Sequence, residues 1–353
     1  MGFVSAGPVS AKPASEPRAH VSVARRLRSL ADIALNPTEL VMRRLALAGV
    51  ISSALIIWTG GAVRLTESGL GCTTWPDCTS GKLVASGVTG DPLIHRWVEF
   101  GNRVATTLIF IFAIMIFIAA WRYRPSKTAS QRSVGTATAD RKRRRDLVWL
   151  ASAQPAGIVA QAVIGGIVVL TKLAPFWVSL HFIATLPVLA AAVVLHVRCT
   201  EGTAKPVWLV QPLVRYVVVA LVAVTTIMML VGTLVTGTGP LAGAGDVQRY
   251  HFLSLTGVTQ LHADIGWVLG TVAVMAVACL QLTGAPARAM RIGWIVLGLI
   301  AAQGAIGYVQ YFAHLPAGLV WVHVANAALV WIAVIRLYFA LRDRNLPAPV
   351  AMR

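Results

Sequence analysis

Eight apolar runs, each long enough to span a bilayer as a helix, constrain this chain more than any other feature. They lie at about 44–63, 94–121, 147–171, 176–197, 213–237, 258–282, 289–312 and 317–340. A run of that length crosses ~30 Å of hydrocarbon with some tilt. The expected fold is therefore all-α, a polytopic membrane protein with eight transmembrane helices. Pro155, Pro187, Gly165, Gly166, Gly304 and Gly307 fall inside runs. Membrane helices tolerate such residues, and the glycines allow close packing. Composition agrees: 57% of the 353 residues are hydrophobic and 12% are charged. A soluble chain carries about twice that charge.

The formal charge of +18 does not point to nucleic acid, because the cations gather in a few short connections. They act as a topology signal instead. The N-terminal tail, the loop Arg122 to Arg145, the connections with Arg198, Lys205, Arg215, Arg288 and Arg291, and the C-terminal Arg342 and Arg344 share one side. The opposite loops hold only Arg64, Lys82, Lys172 and Arg249. Both termini are then cytoplasmic, in a plasma membrane. The first run is long enough to span and lacks a cleavage pattern, so a removed signal peptide is not expected. Val23, Leu27, Leu30 and Ala34 have the spacing of a short interfacial helix, and Pro125–Asp140 has the composition of a disordered loop.

The chain also repeats itself. Ala160-Gln161-Ala162-Val163-Ile164-Gly165-Gly166 resembles Ala302-Gln303-Gly304-Ala305-Ile306-Gly307-Tyr308, and His181 follows Gln161 at the same spacing as His323 follows Gln303. Leu261-His262 at the mouth of the sixth run corresponds to the His95–Asn102 stretch at the mouth of the second. Two tandem, pseudo-symmetric four-helix bundles fit this pattern, since an even number of spans keeps the halves parallel. The expected organisation is a partly disordered cytoplasmic tail 1–43, a first half 44–198 with a basic loop 122–146, a linker 199–212, a second half 213–340 and a tail 341–353.

Ligand-type residues cluster at the outer ends of the even-numbered runs. In Leu93–Arg103, His95, Glu99 and Asn102 fall at i, i+4 and i+7 on one helix face, with Arg96 and Arg103 about one residue away. Such groups are costly in a bilayer and usually face the bundle interior or water. Arg96 by itself reads as an interfacial residue whose charge reaches the headgroups. His95, His181, His262 and His323 lie at similar depth. Facing histidines in a four-helix bundle grip a haem edge-on, whereas zinc would need carboxylates or thiolates at ligand spacing. His20, His196, His251 and His314 have no identified repeat partner and read as structural or surface residues. Cys72 and Cys78 share one external loop, and an exported pair with Trp-Pro between reads as a disulfide. It serves either as a staple or as an exchangeable redox pair beside a cofactor.

The stretch Gly60-Gly61-Ala62-Val63-Arg64-Leu65-Thr66-Glu67-Ser68-Gly69-Leu70-Gly71-Cys72, continuing to Trp75-Pro76-Asp77-Cys78, resembles the signature of the haem A synthase family. The resemblance covers all eight runs, roughly residues 44–340. It implies a membrane oxidoreductase that converts a methyl group of haem O into the formyl group of haem A for terminal oxidases. It further implies a permanent haem b between His262 and His323 and a substrate haem O in the first half. There Glu99 matches the family's functional glutamate, and Asn102 stands where the family has an iron-ligating histidine. This departure leaves His181 as the strong ligand, or brings in His95 from two turns outward, about 10.5 Å of helical rise. Asn102 and Arg103 are then substrate-site residues, and Arg64 and Lys172 are candidate partners for haem propionates. Haem O synthase and terminal oxidase assembly factors are the partners implied. Two other classes compete: a di-haem, quinol-linked electron-transfer protein of cytochrome b type, and, on the repeat alone, a transporter.

Overall fold

A computed structural model describes residues 37–78, 81, 93–125, 143–244 and 247–345. The expected helix at 23–34, the loop at 126–142 and the tail beyond 345 lie outside the described residues. Among the described residues the helices are α1 (Glu39–Leu65), α2 (Leu93–Arg122), α3 (Arg145–Leu170), α4 (Pro175–Ile183), α5 (Thr185–Arg198), α6 (Pro212–Thr238), α7 (Leu255–Leu282), α8 (Ala287–Phe312) and α9 (Ala317–Ala340). Eight spans are long and apolar enough to cross a membrane, with α4 and α5 together forming the fourth. All eight fall on the expected runs. The chain is a multi-pass membrane protein.

Local chemistry sets the helix ends. The Thr38 side chain accepts from the Val41 amide to cap α1, and the Ser254 side chain accepts from the Gly257 amide to cap α7. Pro175 and Pro212 open α4 and α6, where a missing N–H costs nothing. The fourth span breaks at Ala184 because Pro187 has no N–H to give the Ile183 carbonyl.

The first half packs α1, α2, α3 and α5 around Met42, Ile116, Leu147 and Leu195. The second packs α6, α7, α8 and α9 around Leu221, Leu269, Val296 and Val334. A third apolar cluster, with Ile57, Leu189, Met229 and Trp331, joins the halves. Three indoles fasten that seam by donating to carbonyls: Trp58 to Ala325 at 3.2 Å, Trp321 to Trp58 at 2.9 Å and Trp331 to Leu186 at 3.0 Å.

The repeat is visible in the backbone. Lys172 and Leu173, between α3 and α4, have φ of 52° and 60°, and His314 and Leu315, between α8 and α9, have 59° and 60°. The step along the chain from Lys172 to His314 equals the step from His181 to His323. His314 thus has a repeat partner after all, Lys172, which shares its turn but not its chemistry.

At the basic end, several arginines do more than mark topology. Arg144 and Arg198 are buried and both bond Asp146, at 2.8 and 2.6 Å, while Arg198 also reaches Glu201 at 2.5 Å. Strand β1 (Val207–Trp208) pairs antiparallel with β2 (Arg342–Asp343), tying the linker to the end of the second half.

Candidate functional site

In the second half, His262 on α7 and His323 on α9 face each other with ring centroids 6.3 Å apart and planes tilted by 57°. Each ring is seated on a glycine of a neighbouring helix. A Cβ at Gly232 of α6 would lie 3.2 Å from His262 Cε1, and one at Gly307 of α8 would lie 3.3 Å from His323 Cε1. Both contacts are too close for a larger residue to be accepted without displacing an imidazole. The Nδ1 atoms of both histidines are buried without a hydrogen-bond partner among the described residues. The ring separation leaves room for one metal atom with bonds of about 2 Å to each imidazole. Neutral imidazoles in apolar walls are a haem donor set. No group of three or more His, Cys, Asp or Glu that could hold a metal ion occurs among the described residues. The residues present fit a bis-histidine haem.

The first half reproduces one side of this arrangement. His181 on α4 lies over Gly165 of α3, with a Cβ there 3.2 Å from its Cε1, and its Nδ1 is likewise buried and unpartnered among the described residues. The opposite side differs. Counted back from the helix end, Asn102 holds the same position in α2, which ends at Arg122, as His262 holds in α7, which ends at Leu282. Asn102 Oδ1 accepts from the Thr59 hydroxyl at 2.7 Å. By the same count, Thr59 in α1, which ends at Leu65, matches Gly232 in α6, which ends at Thr238. Asn102 on Thr59 therefore stands where the second half has His262 on Gly232. His95 lies two turns outward, its Nδ1 3.0 Å from the Ser68 hydroxyl at the foot of the first loop.

That loop roofs the first half. Cys72 and Cys78 form a disulfide, as expected, and both are buried against Phe100 of α2. On one side the loop rests on α3, where a Cβ at Gly166 would come within 2.6 Å of Trp75 Cδ2. On the other it rests on α2, where a Cβ at Gly71 would come within 2.5 Å of the His95 carbonyl oxygen. Glycine is required at both contacts.

Glu99 lies beneath this roof, 5% exposed. Its Oε2 accepts from the Cys72 amide at 2.7 Å and its Oε1 from Arg103 at 2.6 Å. Arg103 also donates to the carbonyls of Thr74 and Asp77, both at 3.2 Å, and of Pro76 at 3.4 Å. A buried carboxylate is thereby paired with a guanidinium and fixed to the cystine loop. Residue spacing along α2 predicts the shared face, but not the loop that closes over it.

Several side chains meet surroundings that their own stretch of chain does not reveal. Arg96 does not reach outward to headgroups but is buried, 4% exposed, because the first loop lies across the start of α2. Arg64 donates to the carbonyls of Thr236 and Leu241, so it clasps the second half across the seam. Lys172 is exposed in its turn. His196, read as structural or surface, is buried at 9% exposure.

The sequence profile described as cytochrome oxidase assembly protein matches residues 43–87 and 93–335, most of the chain. The chain is also similar to the heme A synthase of Geobacillus thermodenitrificans, 35% identical over 75 residues, 21% of this chain and 22% of that one. It is similar to the heme A synthase of Lysinibacillus sphaericus, 32% identical over 161 residues, 45% of each chain. The matched stretches span less than half the length of these relatives. With the profile covering all eight spans, the chain belongs to the cytochrome oxidase assembly protein family, the haem A synthase family that its Gly60–Cys78 stretch resembles.

Proposed function

We propose that this protein is a haem A synthase, a membrane oxidoreductase that oxidises one methyl group of haem O, in two rounds, to the formyl group of haem A. The observation that carries the reading is the difference between the halves. In one, two histidines face each other 6.3 Å apart; in the other, the matching positions hold His181 and the amide Asn102, with a buried carboxylate under a disulfide loop. Two facing histidines suit a resident haem, while His181 and the loop-covered Glu99 suit a substrate haem, with Asn102 a departure from the second ligand that the family resemblance implies.

On this reading the second half, 213–340, holds haem b through His262 and His323, and the first half, 44–198, receives haem O at His181. Haem b supplies one-electron redox chemistry. The chain's own groups position, shield and move protons. Glu99 is the proton-handling carboxylate beside the methyl group, Arg103 and the Cys72 amide hold it in place, and the cystine loop excludes water above it. Asn102 faces the substrate haem without binding iron strongly. Positive-inside topology puts both termini in the cytoplasm of a plasma-membrane protein, with the roofed sites near the outer face. Haem O synthase and terminal oxidase assembly factors are its partners.

The test is chromatography of haems extracted from membranes of a host that makes haem O but no haem A, with and without this protein. New haem A is expected. Glu99→Gln should keep haem binding and lose haem A formation. A folded protein that holds haem b and leaves haem O unchanged, with reductant present, would sink the proposal in favour of di-haem electron transfer.

A further inference from the structure

The two halves part company at one buried amide. Gln161 on α3 and Gln303 on α8 hold the same place in the repeat, separated by the same step as His181 and His323. Gln303 is fully employed: its Nε2 donates to the His323 carbonyl at 3.0 Å, and its Oε1 accepts from Asn326 at 2.7 Å. Gln161 makes neither bond. Its amide nitrogen and oxygen are both buried without a partner among the described residues.

The repeat supplies the cause. The counterpart of Asn326 is Ala184, which has no side-chain donor, and the counterpart of Leu329 is Pro187, which breaks the fourth span between α4 and α5. The break falls within a turn of His181, whose carbonyl would otherwise be the acceptor. A primary amide left unmet on both its donor and its acceptor side is costly and uncommon in a folded interior. Its direction is also defined. Gln161 and Gly165 are at i and i+4 on one face of α3, and Gly165 carries the His181 ring. Gln161 therefore stands one turn along α3 from the seat of the ring, on the same face.

We infer that Gln161 is a specificity-determining residue of the first-half site, and that it receives a hydroxyl group on the edge of the porphyrin substrate. One alcohol oxygen gives each end of the amide a partner, donating its proton to Oε1 and accepting from Nε2. The inference rests on the proposed reading of the first half as the haem O site. It explains why the second half spends its equivalent glutamine on the backbone, since haem b carries no hydroxyl. Two hydroxyls answer the description. One is on the isoprenoid side chain of haem O, where haem b has a vinyl group. The other is the alcohol formed when the methyl group is first oxidised.

The test uses the full chain in detergent, with two variants. Gln161→Met removes the amide at similar volume. Ala184→Asn leaves it in place but offers it the partner that Asn326 gives Gln303. Titration at the Soret band measures haem O binding, and chromatography measures the haems formed in membranes. Haem b retained in the second half confirms folding. If the side-chain hydroxyl is recognised, both variants bind haem O about tenfold more weakly, roughly 1.4 kcal/mol. If the nascent alcohol is recognised, haem O binding is unchanged and the half-oxidised haem accumulates several-fold over wild type. Folded variants that match wild type in both measurements would overturn the role of Gln161 alone. Wild-type protein that binds no haem O would overturn the functional reading and this inference together.

Discussion

Replacing Arg103 by methionine should loosen the cystine loop, and the amount follows from what Arg103 holds. Glu99 is 5% exposed, and its two oxygens have one partner each, Arg103 and the Cys72 amide. Removing one partner of a fully buried ion pair costs about 3–5 kcal/mol. The Arg103 side chain keeps 24% exposure, and the Cys72 amide still serves the other oxygen, so about 2 kcal/mol is expected here. The cost falls on local opening of the loop rather than on the helices, whose cores lie elsewhere. Amide hydrogen exchange reads it directly. Peptides spanning Gly69 to Cys78, including the Cys72 amide on Glu99 and the Thr73 amide on the Cys78 carbonyl, should exchange roughly 30-fold faster, at ~1.4 kcal/mol per decade. In a Glu99→Gln background no bare carboxylate is left behind, so the same Arg103→Met change should accelerate exchange only a few-fold, through the lost loop carbonyl bonds. Equal acceleration in both backgrounds would refute the reasoning, because Arg103 would then hold the loop without holding Glu99.

Two further outcomes follow from the histidines and the cysteines. His262→Ala and His323→Ala should each abolish the haem b absorption of the purified protein, while His95→Ala, which loses only its contact with Ser68, should keep it; loss of haem b in His95→Ala alone would contradict the assigned pair. Burial pushes the Cys199 thiol up to about 12, so it should resist alkylation at pH 8 in the folded protein and react after denaturation, as followed by mass. Its ordinary value when unfolded is about 8.5, so raising the pH above that point ionises the unfolded thiol first and lowers stability, and alkylation of the folded protein at pH 8 would refute the burial argument.

Much of this protein is legible before any contact is known. The eight spans were readable because hydropathy acts over neighbouring residues along one run, whereas the caps at Thr38 and Ser254 emerge only in the structure. The repeat was readable from the Gln161–His181 and Gln303–His323 spacings, and the disulfide from two cysteines in one short loop. A shared helix face placed Glu99 near Asn102 and His95. What remained hidden was the use of each polar group. Arg96 reads as an interfacial anchor on its own helix, but the loop that buries it comes from another part of the chain. Arg64 reads as a partner for an anion, yet it bonds carbonyls 172 and 177 residues away. Asn102 reads as a lost histidine, and only the structure reveals that its Oδ1 accepts from the Thr59 hydroxyl of another helix. Gln161 reads as half of a repeat, and only the packing shows that its amide has no partner among the described residues. Residue order alone settles where the chain crosses the bilayer and that it does so in two related halves, because the transfer of an apolar run into lipid is a local property summed along that run. Packing in three dimensions settles which buried groups are paired among the described residues and which are not, because a hydrogen bond forms only where a distant element comes within about 3 Å.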